Sequence, residues 1–298
     1  MKFGIIGTGI VGTALAVRLK AAGYTCFGVH TRSSRSYERF SRYVDARELS
    51  LEELAREADI LFITTQDAMI RGVAEELSAK PLIRSGQVWS HCSGSFTANV
   101  LRAREDLPVH CLCVHPLQAF ASVEEALTIL PGTHFGIEGD REDLGEKIVR
   151  DLGGTPHHIL ADRKTLYHAG AVVASNYLVV LASLAVELFT EAGIEGEEAL
   201  ASLLPLMRGT LYNLERVGLP QALTGPIARG DGQVVQSHLD CLPPKLTDLY
   251  KELGLRALEL GAEKMARQGS GYSREQLILL RRILGRNETD FQEREEEA

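Results

Sequence analysis

The sequence contains little cysteine, tryptophan or positive charge. Its 298 residues include 5 cysteines and 1 tryptophan, and 40 acidic residues outnumber 32 lysines and arginines, for a net charge of -8. An odd number of cysteines scattered over a long chain does not form a disulfide framework, so we expect reduced thiols. The calculated pI near 5.7 argues against nucleic acid as a main partner, because binding phosphates requires clustered Lys and Arg.

Targeting and metal-binding signals are also weak. Met1 begins no charged-then-apolar leader, and no stretch of about 18 uncharged apolar residues occurs, so we expect a cytoplasmic protein without a membrane partner.

Cys111 and Cys113, flanked by His110 and His115, invite a metal-site interpretation. However, an i, i+2 spacing also simply places two side chains on one strand face, and we expect no metal.

The chain length suits two domains, and the residue pattern changes near the middle. In the first half, short apolar runs alternate with helical stretches, which predicts an α/β, doubly wound sheet of parallel strands. The predicted strands are Lys2–Ile6, Thr25–His30, 60–64, Gln87–His91, 109–114, 133–137 and 157–160, with helices at 11–22, 51–58 and Asp67–Ser78. Later segments at 162–192, 197–217, 231–239 and 246–267 have helical periodicity. We therefore predict a Rossmann domain over 1–155 and an all-helical domain over 156–298, with a frayed acidic tail at 292–298.

A glycine motif follows the first predicted strand directly and opens a helix. It reads Gly7-Thr8-Gly9-Ile10-Val11-Gly12. In a dinucleotide-binding turn, the first glycine permits the turn, the second admits the pyrophosphate and the third lets the helix pack on the strand. The motif alone is a weak signal that also occurs in simple turns. Its strand–turn–helix context favours dinucleotide binding.

The residues after the second strand indicate which dinucleotide is bound. They include Thr31, Arg32, Ser33 and Arg35, and no acid occurs before Glu38. NAD-binding folds usually place an acid here for the ribose hydroxyls, whereas Arg and hydroxyl groups accommodate a 2′-phosphate. NADP is therefore the expected cofactor, although solvated loop residues would have the same composition.

Polar residues follow three further strands, where ligands bind in doubly wound sheets. They are Thr64, Thr65, Gln66 and Asp67 after the third strand, His91, Cys92, Ser93, Gly94 and Ser95 after the fourth, and His115 and Gln118 after the fifth. Ser93 and Gln118 are candidate substrate-binding residues. The alternative is ordinary turn and helix-cap chemistry.

The first helix of the second domain carries candidate catalytic groups. A spacing of four predicts Lys164 next to His168 on the surface, with Asn176 further along the same stripe. Lys164 or His168 could supply a proton, and the alternative is that they are buried, hydrogen-bonded structural residues. Further along, Arg229 could bind a substrate carboxylate bidentately or belong to a structural loop, and Asp231 is a predicted N-cap.

The apolar run at 177–189 is longer than one small domain needs on a single helix. This excess of apolar surface predicts a homodimer.

The chain resembles the β-hydroxyacid dehydrogenase-like group, which includes ketopantoate reductase and pyrroline-5-carboxylate reductase. More closely, the segments at 115–120, 167–177 and 223–231 resemble a family of Rossmann-like NADP oxidoreductases with a C-terminal domain of unknown function. The resemblance spans nearly the whole chain. It implies an NADP-dependent oxidoreductase, and an alternative type of ketopantoate reductase is thought to belong to the family.

The pattern departs from ketopantoate reductase at the catalytic helix. That enzyme has a lysine followed by asparagines four and eight residues later, whereas Lys164 is followed by His168 and Val172. With His168 in the lysine position, Asn176 matches the second asparagine and Val172 replaces the first. The expected function is NADPH-dependent reduction of a small 2-oxo acid, ketopantoate first. The alternatives are a pyrroline-5-carboxylate-type imine reductase and a non-catalytic NADP-binding redox sensor.

Overall fold

The computed structural model describes residues 1–285. One seven-stranded sheet has the order β2-β1-β3-β4-β5-β6-β7. Its strands are β1 (Lys2–Ile6), β2 (Thr25–His30), β3 (Ile60–Ile63), β4 (Gln87–His91), β5 (Val109–Pro116), β6 (His134–Gly139) and β7 (Thr155–His158). Every strand pair is parallel except β5 with β6. The α/β class is confirmed, with one antiparallel pair added to the predicted parallel sheet.

Thirteen α-helices lie within residues 1–285. Those between the strands are α1 (Ile10–Ala21), α2 (Ser34–Ser41), α3 (Leu51–Glu57), α4 (Asp67–Ser78), α5 (Val123–Ile129) and α6 (Glu142–Asp151). After β7 come α7 (Lys164–Ala174), α8 (Asn176–Glu191), α9 (Gly196–Val217), α10 (Pro226–Arg229), α11 (Gly232–Cys241), α12 (Pro244–Arg267) and α13 (Arg274–Leu284). The prediction of an all-helical second half is confirmed, although the single helix expected at 162–192 is broken at Ser175.

Apolar residues cover both faces of the sheet. One cluster contains Phe3 and Ile5, and the other contains Leu61 and Trp89, all at most 1% exposed. All residues of β3 and β4 are buried, as expected for central strands of a sheet with helices on both faces. Each fully buried large apolar side chain stabilises the fold by about 1.5–3 kcal/mol. The strand ends that carry the candidate site are therefore held by a rigid core.

The chain divides into two compact units, Met1–Leu181 and Ala182–Ala298. The first unit includes α7, because Lys164 and Tyr167 of this helix bond to β5. The second unit has its own core of Val235, Leu255, Leu258, Leu280 and Leu284. The domain boundary expected at 155/156 stays a prediction. The acidic tail at 292–298 lies outside the described residues.

One helical segment contradicts the expectation that no long apolar stretch occurs. Among the described residues, Ala161–Glu191 is long and apolar enough to cross a membrane by length and composition, with a mean hydropathy of 1.9. Ser175 and Asn176 are polar but uncharged, and the mean hydropathy of the segment stays high although it contains them. Length and composition alone are weak evidence for a membrane, since helices of soluble proteins can pass the same test.

Candidate functional site

The three motif glycines have different structural roles. Gly7 has φ +99°, a left-handed conformation that favours glycine. A Cβ on Gly12 would lie 2.3 Å from both the Gly7 carbonyl oxygen and Thr64 Oγ1, so only glycine lets α1 pack this closely. A Cβ on Gly9 would stand in open space. The turn therefore leaves room at Gly9, where the second motif glycine is expected to face a pyrophosphate.

A cleft of about 330 Å³ begins at this turn. No side chain caps α1 at Gly9, so the amides of its first turn remain for an anionic ligand. Thr65 Oγ1 is buried and has no hydrogen-bond partner within the described residues. The cleft is lined by Ile6, Gly7, Thr8, Gly9, His30, Thr31, Arg32, Ser36, Arg39, Leu51, Thr64, Thr65, Gln66, Met69, Val73 and Glu76. The open cleft, the free amides of α1 and the unpartnered Thr65 hydroxyl fit a bound dinucleotide.

Two arginines line the cleft beyond β2, and only one of them was predicted. Arg32 and Arg39 both line it, and Arg39 Nη2 donates to the Thr8 carbonyl at 3.3 Å. Ser33 instead caps α2 by accepting from the Ser36 amide at 3.3 Å, and neither Ser33 nor Arg35 is among the lining residues. Sequence reasoning missed Arg39. The i, i+3 spacing of Ser36 and Arg39, which places both residues on one face of α2, could have revealed it.

Ser93 is held tightly at the end of β4. Its Oγ donates to Asp67 Oδ2 at 2.7 Å, and its amide donates to His91 Nδ1 at 3.1 Å. His91 Nε2 lies 3.1 Å from the Thr97 carbonyl oxygen, so both ring nitrogens have partners. Burial, together with the positive charge of Lys164, lowers the pKa of His91 to about 4. His91 is therefore a neutral structural residue that holds the loop carrying Ser93.

Lys164 does not lie on the surface next to His168. It is 1% exposed, and its Nζ donates to Cys113 Sγ at 2.8 Å. The expectation of a surface lysine is wrong because the side chain extends from the first residue of α7 onto buried β5. Burial raises the pKa of Cys113 to about 11, so this cysteine is a thiol at neutral pH. The buried ammonium group of Lys164 therefore lies next to β5, near its carboxyl end.

Three aromatic side chains meet where α7 crosses β5. Tyr167 Oη lies 2.9 Å from His115 Nδ1, and the ring centroids of His115 and His168 are 6.3 Å apart. His168 Nδ1 is buried and has no hydrogen-bond partner within residues 1–285. A Cβ on Gly94 would lie 2.6 Å from His168 Nδ1 and 2.8 Å from His115 Nε2. The two imidazoles therefore converge beside Gly94.

Gln118, Asn176 and Arg229 are the remaining candidate residues. Gln118 is exposed, and its Oε1 accepts from the Ala119 amide at 3.0 Å. Asn176 is exposed at the first residue of α8. Arg229 ends α10 in the second compact unit, where Asp231 caps α11 as predicted by accepting from the Val234 amide. The roles assigned to Gln118, Asn176 and Arg229 stay predictions.

The strands bring the cleft and the polar cluster to the same edge of the sheet. Because β1, β3, β4 and β5 are parallel, their carboxyl ends lie side by side. This arrangement can hold a dinucleotide beside a set of nitrogen and hydroxyl groups. Among residues 1–285, no group of three or more His, Cys, Asp or Glu could hold a metal ion.

Solved structures with this fold come from several bacteria. Protein TM1727 from Thermotoga maritima is 26% identical, with a TM-score of 0.72 over 88% of this chain and 99% of that one. BF3122 from Bacteroides fragilis, a candidate NADP oxidoreductase, is 24% identical, with a TM-score of 0.68 over 87% and 98%. A pyrroline-5-carboxylate reductase from Coxiella burnetii is 17% identical, with a TM-score of 0.59 over 91% and 98%. None of the curated proteins matches the chain.

Two family profiles match successive parts of the chain. A Rossmann-like domain matches residues 1–116, and a domain of unknown function (DUF2520) matches residues 133–257. This is the combination that the sequence resemblance indicated. The chain therefore consists of a Rossmann-like domain followed by a DUF2520 domain.

Proposed function

We propose that the protein is an NADPH-dependent reductase of a small 2-oxo acid, with ketopantoate as the first substrate to test. One observation carries the proposal. The cluster of Ser93, His115, Lys164 and His168 lies at the same sheet edge as the dinucleotide cleft. A carbonyl reductase needs both features, since the developing alkoxide requires stabilisation and a proton.

The cofactor preference is supported by the two arginines of the cleft. Gly7, Gly9 and the first turn of α1 would hold the pyrophosphate, and Arg32 and Arg39 would pair with the 2′-phosphate of NADPH. When bound, NADPH supplies a hydride. Replacing Arg32 by Ala together with Ser33 by Asp should weaken NADPH binding and spare NADH, as measured by isothermal titration. A wild type that prefers NADH would contradict this part of the proposal.

The chain's own groups would handle the charge on the carbonyl oxygen. His168, whose Nδ1 lacks a partner, would donate the proton to this oxygen while the carbonyl carbon receives the hydride. The imidazole then regains a proton from solvent. Lys164 is bonded to Cys113 and fully buried, so we assign it an electrostatic role. Its ammonium would favour the developing negative charge.

The test is NADPH oxidation with a panel of 2-oxo acids and pyrroline-5-carboxylate. We expect turnover of a 2-oxo acid, and the His168→Ala variant should lose roughly two to four orders of magnitude in kcat while still binding NADPH. Lys164→Ala, measured in parallel, separates the two candidate donors. Selective turnover of pyrroline-5-carboxylate would favour the imine-reductase alternative, and NADPH binding without turnover would favour a redox sensor. Arg229→Lys tests the carboxylate-binding role predicted for Arg229 from the sequence, because lysine keeps the charge but lacks the planar pair of N–H donors.

The homodimer remains part of the proposal, and the exposed face of α8 supports it. None of the α8 residues is buried within residues 1–285, and Tyr177, Val179 and Val180 are 56%, 70% and 50% exposed. Lys164 and Tyr167 tie the preceding helix to the Rossmann sheet, so a second copy is a better cover for this surface than a lipid bilayer.

Sedimentation velocity tests this assembly. Val179→Glu should convert the dimer to a monomer, because an interface core does not accept an unpaired charge. Leu82→Glu is the matched control, since Leu82 is also an exposed apolar residue, at 57%, on the first unit. A monomeric wild type, or a Val179→Glu variant that remains dimeric, would refute the assignment.

A further inference from the structure

Tyr167 has a contact that the proposed chemistry does not yet use. Its hydroxyl lies 2.9 Å from His115 Nδ1, with the two rings edge to face. The phenol is seated on Gly136, where a Cβ would lie 2.8 Å from Oη and 3.2 Å from Ile159 Cγ1. Because backbone and an aliphatic side chain flank the hydroxyl there, the imidazole nitrogen is its natural acceptor. A phenol that donates to Nδ1 leaves the imidazole proton on Nε2.

A second tyrosine–histidine pair, away from the polar cluster's own residues, serves as a comparison for Tyr167 and His115. In the second compact unit, Tyr250 Oη lies 2.6 Å from His238 Nδ1, again with the rings edge to face. His115 differs from His238 in what its other nitrogen faces. His115 Nε2 points to Gly94, beside the buried and unpartnered Nδ1 of His168.

We propose that His115 Nε2 and His168 Nδ1 together bind the oxygen atom of the substrate carbonyl, and that Tyr167 is the positioning residue that fixes His115 as the Nε2–H tautomer. This inference rests on the proposed reductase function. The two nitrogens lie 2.6 and 2.8 Å from the position that a Cβ on Gly94 would take, so they are close enough to each other for one oxygen atom between them to contact both. The ligand class is a carbonyl whose oxygen gains negative charge, such as that of a 2-oxo acid.

The surroundings of His115 suit a neutral hydrogen-bond donor rather than an acid. The charged or titratable groups that face it are Lys164, His168, Asp67 and His91, besides the Tyr167 phenol. Burial, and then the positive charge of Lys164, lowers the pKa of His115 to about 4. A neutral imidazole that polarises a carbonyl is an established catalytic device. His115 and His168 therefore divide the work, one donating a hydrogen bond and the other a proton.

Nitrogen NMR of the histidines tests the oxygen site without turnover. At pH 7, His115 should carry its proton on Nε2, and adding NADPH with oxamate, a non-reducible carbonyl carboxylate, should shift the ring signals of His115 and His168. Single His→Gln variants assign the signals. A proton on His115 Nδ1, or oxamate binding that leaves both rings unchanged, would overturn the proposal. If oxamate shifts both rings but no carbonyl compound is reduced, the oxygen site stands and the reductase function fails.

Two variant pairs test the positioning role. Tyr167→Phe should lower kcat about tenfold, the equivalent of one net hydrogen bond, and should abolish the Nε2–H preference of His115 in the NMR spectrum. Tyr250→Phe removes the matched hydroxyl and should leave both readouts unchanged. Gly94→Ala should reduce kcat by about 10²–10³, the loss expected when an oxyanion donor is displaced. Gly72→Ala is its control, because a Cβ there meets nothing within 4 Å. Wild-type kcat in Tyr167→Phe or Gly94→Ala would overturn the assignment.

Discussion

His91 should make the Rossmann domain sensitive to acid. It is completely buried, and its two nitrogens face the Ser93 amide and the Thr97 carbonyl. The neutral Nε2–H tautomer satisfies both partners, whereas a second proton on Nδ1 would face another N–H group. Protonation of the folded protein is therefore costly.

The sign and size of the effect follow from proton linkage. The pKa of His91 is lowered from 6.5 to about 4, chiefly by burial. Between these values the unfolded chain binds a proton that the folded chain does not, so the free energy of unfolding falls as the pH falls. The stabilisation is fully present above pH 6.5. Its loss amounts to roughly 2 kcal/mol at pH 5 and about 3 kcal/mol at and below pH 4. His115, whose pKa is also lowered to about 4, adds a similar loss.

Urea unfolding at pH 7.5, 6 and 5 measures this dependence. Trp89 is the single tryptophan and is fully buried in β4, so its fluorescence reports on this domain. His91→Gln keeps a donor for Thr97 but places no acceptor atom at the position of Nδ1, where the Ser93 amide donates, and this loss should cost roughly 1–3 kcal/mol at pH 7.5. The variant should then lose only about half as much stability as the wild type between pH 7.5 and 5. His134→Gln, at an exposed histidine, is the control. An equal loss in wild type and His91→Gln would refute the reasoning.

Four further predictions concern the cleft and the buried lysine. Gly12→Ala should destabilise the domain by about 1–3 kcal/mol in thermal melts, because its Cβ would lie 2.3 Å from the Gly7 carbonyl oxygen. The side chain in Gly9→Val enters open space, so this variant should keep the melting temperature but abolish NADPH binding. Arg39→Ala should weaken NADPH binding at least about tenfold in titration calorimetry and leave NADH affinity nearly unchanged, and equal weakening of both would contradict a 2′-phosphate contact. Lys164→Met should keep or raise the urea midpoint, because within residues 1–285 the buried ammonium donates to a thiol and not to a carboxylate. A large stability loss would show that the charge is structurally needed.

The sequence by itself determined the architecture and the phosphate turn. Strand alternation, the switch to helical periodicity and the motif from Gly7 to Gly12 all depend on local patterns of neighbouring residues, and these patterns agree with the structure. Asp231 as an N-cap is local in the same sense. The i, i+3 spacing of Ser36 and Arg39 was also available in the sequence. Using it required the knowledge that α2 begins at Ser34, and this helix was not predicted.

Only the tertiary structure decided which polar residues form the reaction centre. The spacing of four predicted that Lys164 lies beside His168, but it did not show which side of α7 packs against β5. The lysine is buried against Cys113, 51 residues earlier in the chain. His91 and His115 both lie at the carboxyl ends of apolar strands, yet the Thr97 carbonyl and the Ser93 amide occupy the nitrogens of His91, whereas His115 Nε2 faces Gly94. The partners of Lys164 and His115 come from elements more than 50 residues away, and those of His91 come from the irregular loop that follows it, so periodicity within one element carries no information about either set. The role of His115 is therefore set by the packing of α7 on the sheet, and that of His91 by the fold of the loop after β4.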